Sequence, residues 1–150
     1  MIKKILGSMT GQLFAVLVGL AVMSACSIGT KASTEPQQSL DKTEWVLASI
    51  QGKPVTDSKA TPTLSFEGGR LNGFSGCNRL FGSYVASHDG TLALGALGMT
   101  KMACMGAAGE LERQVLEQLD KTRMYALPPG QLNLMDSNRK TLLVYTPAKR

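Results

Sequence analysis

The sequence is short of the residues from which reactive sites are usually built. Its 150 residues include three cysteines and a single histidine. No two cysteines have the C-x-x-C spacing of a thioredoxin-type redox site, and a structural zinc site with four ligands would need every cysteine and the one histidine. We therefore expect no metal, no cofactor and no catalytic residues.

Clustered charge is also absent. The chain has 16 basic and 11 acidic residues, a formal net charge of +5, and its basic residues are scattered in ones and twos. Nucleic-acid-binding domains concentrate basic residues on one face, so we expect no nucleic-acid partner. With 43% hydrophobic and 18% charged residues, the composition is that of one globular domain.

The first 26 residues have the pattern of a sorting signal. Lys3 and Lys4 precede an uncharged, largely apolar run, as in a secretory signal peptide. The run is also long enough for a membrane helix, but glycines dilute it and no basic cluster follows. It ends in Met23-Ser24-Ala25-Cys26, which resembles a lipobox, the bacterial lipoprotein signal. We interpret residues 1–25 as a lipoprotein signal peptide and Cys26 as the lipidated residue. The alternative is an ordinary signal peptide cut near Ala25.

Cleavage before Cys26 would leave 14 basic and 11 acidic residues, a net charge of +3, because Lys3 and Lys4 are lost. Ser27 follows the cysteine, and the lipoprotein sorting rule then predicts the outer membrane, with the protein facing the periplasm. Residues 26–43 are polar and are interpreted as a flexible, lipidated tether. We expect a monomer held at the membrane by its lipid.

The two remaining cysteines, Cys77 and Cys104, would then lie in an oxidising compartment, where disulfides form and persist. A structural disulfide is the favoured interpretation. Free buried thiols are one alternative, and a cysteine nucleophile with His88 as its base is another. His88 precedes Asp89-Gly90, a tight-turn signal, which favours an exposed turn residue.

Hydrophobic periodicity predicts a mainly β (α+β) fold. Leu111, Val115, Leu116 and Leu119 form the stripe of an amphipathic helix over 108–121. Short alternating segments separated by Gly, Pro, Asn and Asp turns predict about seven to eight antiparallel strands in a curled or barrel-like sheet. The predicted strands cover 44–50, 63–66, 70–74, 80–85, 91–94, 123–127, 131–135 and 141–145.

Several motifs together resemble the META domain, or HslJ-like, family of small bacterial secreted proteins and lipoproteins. They are Trp45-x-Leu47, Gly76-Cys77-Asn78, Gly82-x-Tyr84, Thr100-x-Met102-Ala103-Cys104, Glu110 at the helix start and Leu132-x-Leu134. The resemblance covers about residues 42–147, and we place the domain at 44–147. It implies a barrel-like antiparallel sheet with one helix, an envelope location and links to stress or drug tolerance. It implies no established enzymatic activity.

The motif residues have structural interpretations. Gly76 permits a backbone geometry that side chains block, Asn78 can bond backbone at a turn, and the Thr100 hydroxyl can tie a loop. Methionines in this region can fill irregular gaps or, alternatively, bind copper. The chain has one histidine, and we assign no Met-x-x-Met copper motif, so copper is the less favoured interpretation.

The sequence thus predicts a non-enzymatic, outer-membrane-anchored META domain lipoprotein that acts in envelope stress or drug tolerance by binding a partner or a small ligand. One alternative is a cysteine-dependent envelope enzyme. Another is an inhibitor or interaction module that presents the glycine- and methionine-rich loop of residues 95–106 to another envelope protein.

Overall fold

Side chains alternate between buried and exposed along the strands, as the period-two pattern predicts. In the fifth strand, for example, Leu80 and Tyr84 are buried while Phe81 and Val85 face solvent. The computed structural model describes residues 39–56 and 60–149. The predicted signal peptide, the lipidation site at Cys26 and the tether up to residue 38 lie outside this part of the chain. Within it, no helix has both the length and the apolar character needed to span a membrane.

One helix and ten strands make up the described residues. The helix, α1, is Ala107–Lys121. The strands are β1 Thr43–Ile50, β2 Lys53–Pro54, β3 Thr63–Glu67, β4 Arg70–Phe74, β5 Arg79–Ala86, β6 Leu92–Leu94, β7 Gly98–Met99, β8 Met124–Ala126, β9 Leu132–Met135 and β10 Thr141–Pro147.

Eight strands follow one another across the sheet in the order β6-β5-β4-β3-β1-β10-β9-β8, and every pairing is antiparallel. The two-residue strands β2 and β7 add to β1 and β5. The ends of the sheet meet through a bridge between Thr91 and Met124, with Leu92 N–H donating to the carbonyl of Arg123 at 2.9 Å. The sheet is therefore nearly closed into a barrel, which confirms the predicted fold class.

The space enclosed by the sheet is filled by side chains. α1 contributes Val115 and Leu119, which are buried against β1 and β10. The largest fully buried side chains are Tyr145, Phe66, Leu40, Leu64, Leu71, Leu80, Leu92, Leu119, Leu132, Leu134, Leu143 and Val115. The barrel interior is thus a packed core.

The folded body begins earlier than the predicted boundary at residue 44. Leu40, placed by the sequence in the flexible tether, is 1% exposed and belongs to the core. The Thr43 hydroxyl donates to the Leu40 carbonyl, and the Asp41 carboxylate accepts from Gly68 N–H at 2.6 Å. These contacts correct the end of the tether. A single leucine among polar residues carries no periodic signal from which its burial could be predicted.

Candidate functional site

A disulfide joins the loop after β4 to the segment that leads into α1. Cys77 and Cys104 form it, with their Cα atoms 6.1 Å apart. Cys77 is buried, at 4% exposure. Both cysteines of the described chain are therefore used in a covalent brace, and neither is available as a thiolate nucleophile.

Asn78 connects three segments beside this disulfide. Its Oδ1 accepts hydrogen bonds from Met102 N–H at 2.7 Å and from the Thr100 hydroxyl at 2.9 Å. Its Nδ2 donates to Glu112 Oε1 at 3.0 Å and to the Met102 carbonyl at 3.3 Å. Since Asn78 is buried, these bonds satisfy an amide that would otherwise be costly to remove from water. The Thr100 and Met102 motif positions thus hold their loop through one side chain.

Glu112, on the first turns of α1, completes this cluster. Its Oε2 accepts from Asn78 N–H at 2.8 Å and from the Ser75 hydroxyl. Burial raises the pKa of Glu112, but the hydrogen bonds donated by Ser75 and Asn78 outweigh that effect, and the pKa lies below its ordinary value. We call Ser75, Asn78, Thr100 and Glu112, with the Cys77–Cys104 disulfide, the Asn78 cluster.

Glu110, which the sequence grouped with the motif, is not brought to this cluster. It is exposed and pairs with Arg113 at 2.7 Å, while Gln114 donates to it at 2.7 Å. The hydrogen bonds from Arg113 and Gln114 lower the pKa of Glu110 to about 2. Sequence reasoning missed Glu112 because it directly follows Leu111 of the apolar stripe. Nothing in the sequence distinguishes such an acid from one that is exposed on the helix surface.

The other motif residues have packing roles. Gly76 has φ +107°, and a Cβ added there would lie 3.1 Å from the Leu111 side chain, so α1 rests directly on this glycine. Tyr84 makes an edge-to-face contact with Phe66 at 5.0 Å between ring centroids. Trp45 is buried, with its indole N–H donating to Thr43 Oγ1 at 2.8 Å.

His88 lies far from the disulfide. It occupies the turn between β5 and β6, while Cys77 precedes the opposite end of β5. The eight residues of β5 separate these two ends by more than about 20 Å at the rise of an extended strand. The structure therefore does not assemble the cysteine–histidine pair that the enzymatic alternative requires.

Residues 99–105, which we call the methionine loop, present three apolar side chains to solvent. Met99 is 37% exposed, Met102 59% and Met105 92%. The sequence predicted that methionines in this region fill gaps in the core, but these three side chains are exposed instead. The backbone behind Met102 is nevertheless fixed by Asn78.

An apolar groove lies where the start of α1 faces β2 and the residues after it. It has a volume of about 510 Å³, and Ile50, Val55 and Leu111 form its apolar walls. Lys53 and Gln114 are its long polar lining residues. We call this cavity the helix-start groove. Sequence reasoning could not find it, because its walls come from segments about 60 residues apart.

Comparison with known proteins supports the resemblance seen in the sequence. The model of the META domain family matches residues 38–149. The chain is 34% identical over 133 residues to the heat shock protein HslJ of Escherichia coli (strain K12), covering 87% of this chain and 92% of that protein. An NMR structure of a protein from Burkholderia xenovorans is 35% identical, with a TM-score of 0.58 over 74% of this chain and 85% of that one.

A more distant structure has the same fold. The crystal structure of a DUF4847 family protein from Bacteroides vulgatus ATCC 8482 is 15% identical, with a TM-score of 0.54 over 74% of this chain and 96% of that one. At this level of identity, the likeness extends to the fold alone.

Proposed function

The chain belongs to the META domain family, and on that premise we propose that it is a non-enzymatic lipoprotein of the bacterial outer membrane that binds a small amphiphilic anion. The helix-start groove is the proposed binding site, and lipidated Cys26 is the proposed anchor. Ligand binding at the membrane surface would be its contribution to envelope stress or drug tolerance.

The groove is the observation that carries this proposal. Because the barrel interior is filled by its own side chains, a ligand has to bind outside it. Small-molecule sites are concave and mostly apolar, with a few polar groups that orient the ligand. The helix-start groove fits that description, with Ile50, Val55 and Leu111 as walls and Lys53 as a cation. Within residues 39–56 and 60–149, Lys53 forms no salt bridge, so its charge is available to an anionic head group.

The Asn78 cluster supports a non-enzymatic role. Glu112 accepts bonds from Asn78 and Ser75 that hold loops together, and the two thiols are spent in the disulfide. A general base needs a pKa near the working pH and access to substrate. The lowered pKa of Glu112 moves it away from that range.

The link to stress rests on the relatives. The Escherichia coli protein to which this chain is 34% identical carries the name heat shock protein. A packed, disulfide-braced domain suits a compartment without reducing thiols, and the predicted anchor would hold it there.

Titration of the full chain with 1-anilinonaphthalene-8-sulfonate, an anionic apolar dye, tests the groove. We expect saturable fluorescence enhancement that is weakened at least tenfold by Ala108→Gln, which fills the groove with a polar side chain. Lys53→Gln should weaken binding of this anionic dye but not of neutral N-phenyl-1-naphthylamine.

Ala103→Gln is the matched control, since Ala103 is exposed and does not line the groove. Equal dye affinity in the wild type, Ala108→Gln and Ala103→Gln would refute binding in the groove. Turnover of esters, peptides or glycans at enzymatic rates by the purified chain would refute the non-enzymatic role.

A further inference from the structure

The methionine loop contains three thioethers at regular spacing. Met99, Met102 and Met105 recur at every third residue and are 37%, 59% and 92% exposed. Methionine is usually a buried residue. Three of the five large hydrophobic side chains exposed in the described residues are these methionines. Packing gives no reason for such a concentration of exposed sulfur.

Contacts with the opposite segment compact the loop. Met99 pairs with Leu80, the Thr100 hydroxyl accepts from Arg79 N–H at 3.1 Å, and Cys104 is bonded to Cys77. The five residues from Thr100 to Cys104 therefore lie opposite the three residues from Asn78 to Leu80. An extended chain covers at most about 10 Å from Cys77 to Leu80. Between Met99 and Cys104 the loop is therefore shorter than an extended chain of its length, which brings the Met99 and Met102 backbones closer together.

The loop is also held in place while its side chains stay free. Asn78 binds both the N–H and the carbonyl of Met102, and the disulfide fixes Cys104. Methionine side chains have three rotatable bonds and adapt to irregular geometry. The three exposed side chains can therefore change rotamer without disturbing the core.

The donor set selects a soft ion. The thiols of Cys77 and Cys104 are in the disulfide, and the described residues contain no group of three or more His, Cys, Asp or Glu side chains that could hold a metal. Thioethers favour Cu(I), whereas magnesium, calcium and manganese prefer oxygen ligands. Two features of the sequence disfavoured copper, namely the single histidine and the lack of an assigned Met-x-x-Met motif. A thioether site requires no histidine, and Met99, Met102 and Met105 do have Met-x-x-Met spacing.

We propose that Met99, Met102 and Met105 form a Cu(I)-binding site on the methionine loop. It is separate from the helix-start groove and does not depend on the function proposed for that groove. Lys101 lies within the loop and is exposed. Its ammonium group opposes a bound cation and keeps the affinity below that of an uncharged loop.

Competition for Cu(I) with bicinchoninate, without oxygen and with the full chain, tests the site. The wild type should bind one equivalent, Met102→Leu should weaken binding at least tenfold, and replacing all three loop methionines with leucine should abolish it. Leucine keeps the apolar volume and removes the sulfur. The matched controls are Met124→Leu and Met135→Leu, which lie in β8 and β9 and should leave the affinity unchanged.

Charge and ligand type give two further readouts. Lys101→Gln should tighten Cu(I) binding several-fold because it removes a repelling charge. X-ray absorption of the copper-loaded chain should show sulfur neighbours without nitrogen. Undiminished Cu(I) affinity in the triple leucine variant would overturn the proposal, as would an equal loss in the two control variants or nitrogen ligation of the bound copper.

Discussion

Asn78 contacts three separate parts of the chain through one side chain. Its amide oxygen holds Thr100 and Met102, and its amide nitrogen reaches Glu112 on α1. Both ends of the amide are used, so the orientation of the group is fixed by its donors and acceptors. The residue thereby sets the position of the methionine loop relative to the helix.

Replacing Asn78 should destabilise the domain strongly. We expect Asn78→Ala to lower the free energy of unfolding by about 3 kcal/mol, because buried partners lose their hydrogen bonds. Asn78→Asp keeps the acceptor for Thr100 and Met102 but turns a carboxylate oxygen toward Glu112. Its loss of stability should therefore be large at neutral pH and smaller in acid. Denaturant unfolding, followed by the fluorescence of Trp45, the only tryptophan, measures the stability of both variants. A loss of stability in Asn78→Asp that does not change with pH would contradict this role of Asn78.

Glu112 should make stability depend on pH. Its folded pKa lies below the ordinary value of 4.5, so its contribution is present above that value and is lost as the pH falls through the folded pKa. We expect Glu112→Gln to cost about 2 kcal/mol at pH 7, since a charged acceptor of buried donors is removed. The difference from the wild type should shrink below about pH 4.

Glu110→Gln is the matched control for this measurement. Glu110 is exposed, and its ion pair with Arg113 and its hydrogen bond from Gln114 both lie on the surface of α1. Exposed ion pairs contribute little to stability. Its unfolding curve at pH 7 should stay near that of the wild type. A larger effect at Glu110 than at Glu112 would show that the two acids have been assigned the wrong roles.

At the scale of elements, glycines let loops approach the strands. Residues Ala96 and Leu97 cross over Gly82 in β5, where an added Cβ would lie 2.8 Å from a Leu97 methyl group and 3.1 Å from the Ala96 carbonyl oxygen. β7, which follows this crossing, pairs with β5 at Leu80 and Phe81. The close approach at Gly82 therefore positions the chain that enters the methionine loop.

Gly82→Ala should displace this crossing. We expect a loss of about 1–3 kcal/mol from forced repacking, with increased amide hydrogen exchange at Gly98 and Met99. Ser83→Ala on the same strand is the control, because Ser83 is exposed and its replacement adds no atoms. Unchanged exchange in β7 of the Gly82→Ala variant would show that the crossing does not hold that strand.

The sequence predicted regular elements well and isolated contacts poorly. The helix and eight longer strands lie within about two residues of their predicted bounds, because each repeats its burial pattern over several residues. β2 and β7 were not predicted, since two residues carry no periodicity. Leu40 and Glu112 were missed for a related reason: their partners are distant in sequence, and neither residue has a local pattern that marks it.

At the scale of the whole molecule, residues 39–56 and 60–149 form a nearly closed sheet with a packed interior and one helix. The helix-start groove and the methionine loop are both on the exterior, and both border the segment that the disulfide fixes. We propose that this domain is anchored outside the cytoplasm, with Cys77 and Cys104 joined in its disulfide.

The intact mass of the chain purified from bacterial membranes, alkylated without reduction, tests that claim most directly. We predict loss of residues 1–25, addition of a lipid at Cys26, no alkylation, and two alkylated cysteines once the sample is reduced. A chain that keeps its first 25 residues, or one with Cys77 and Cys104 alkylated before reduction, would contradict it.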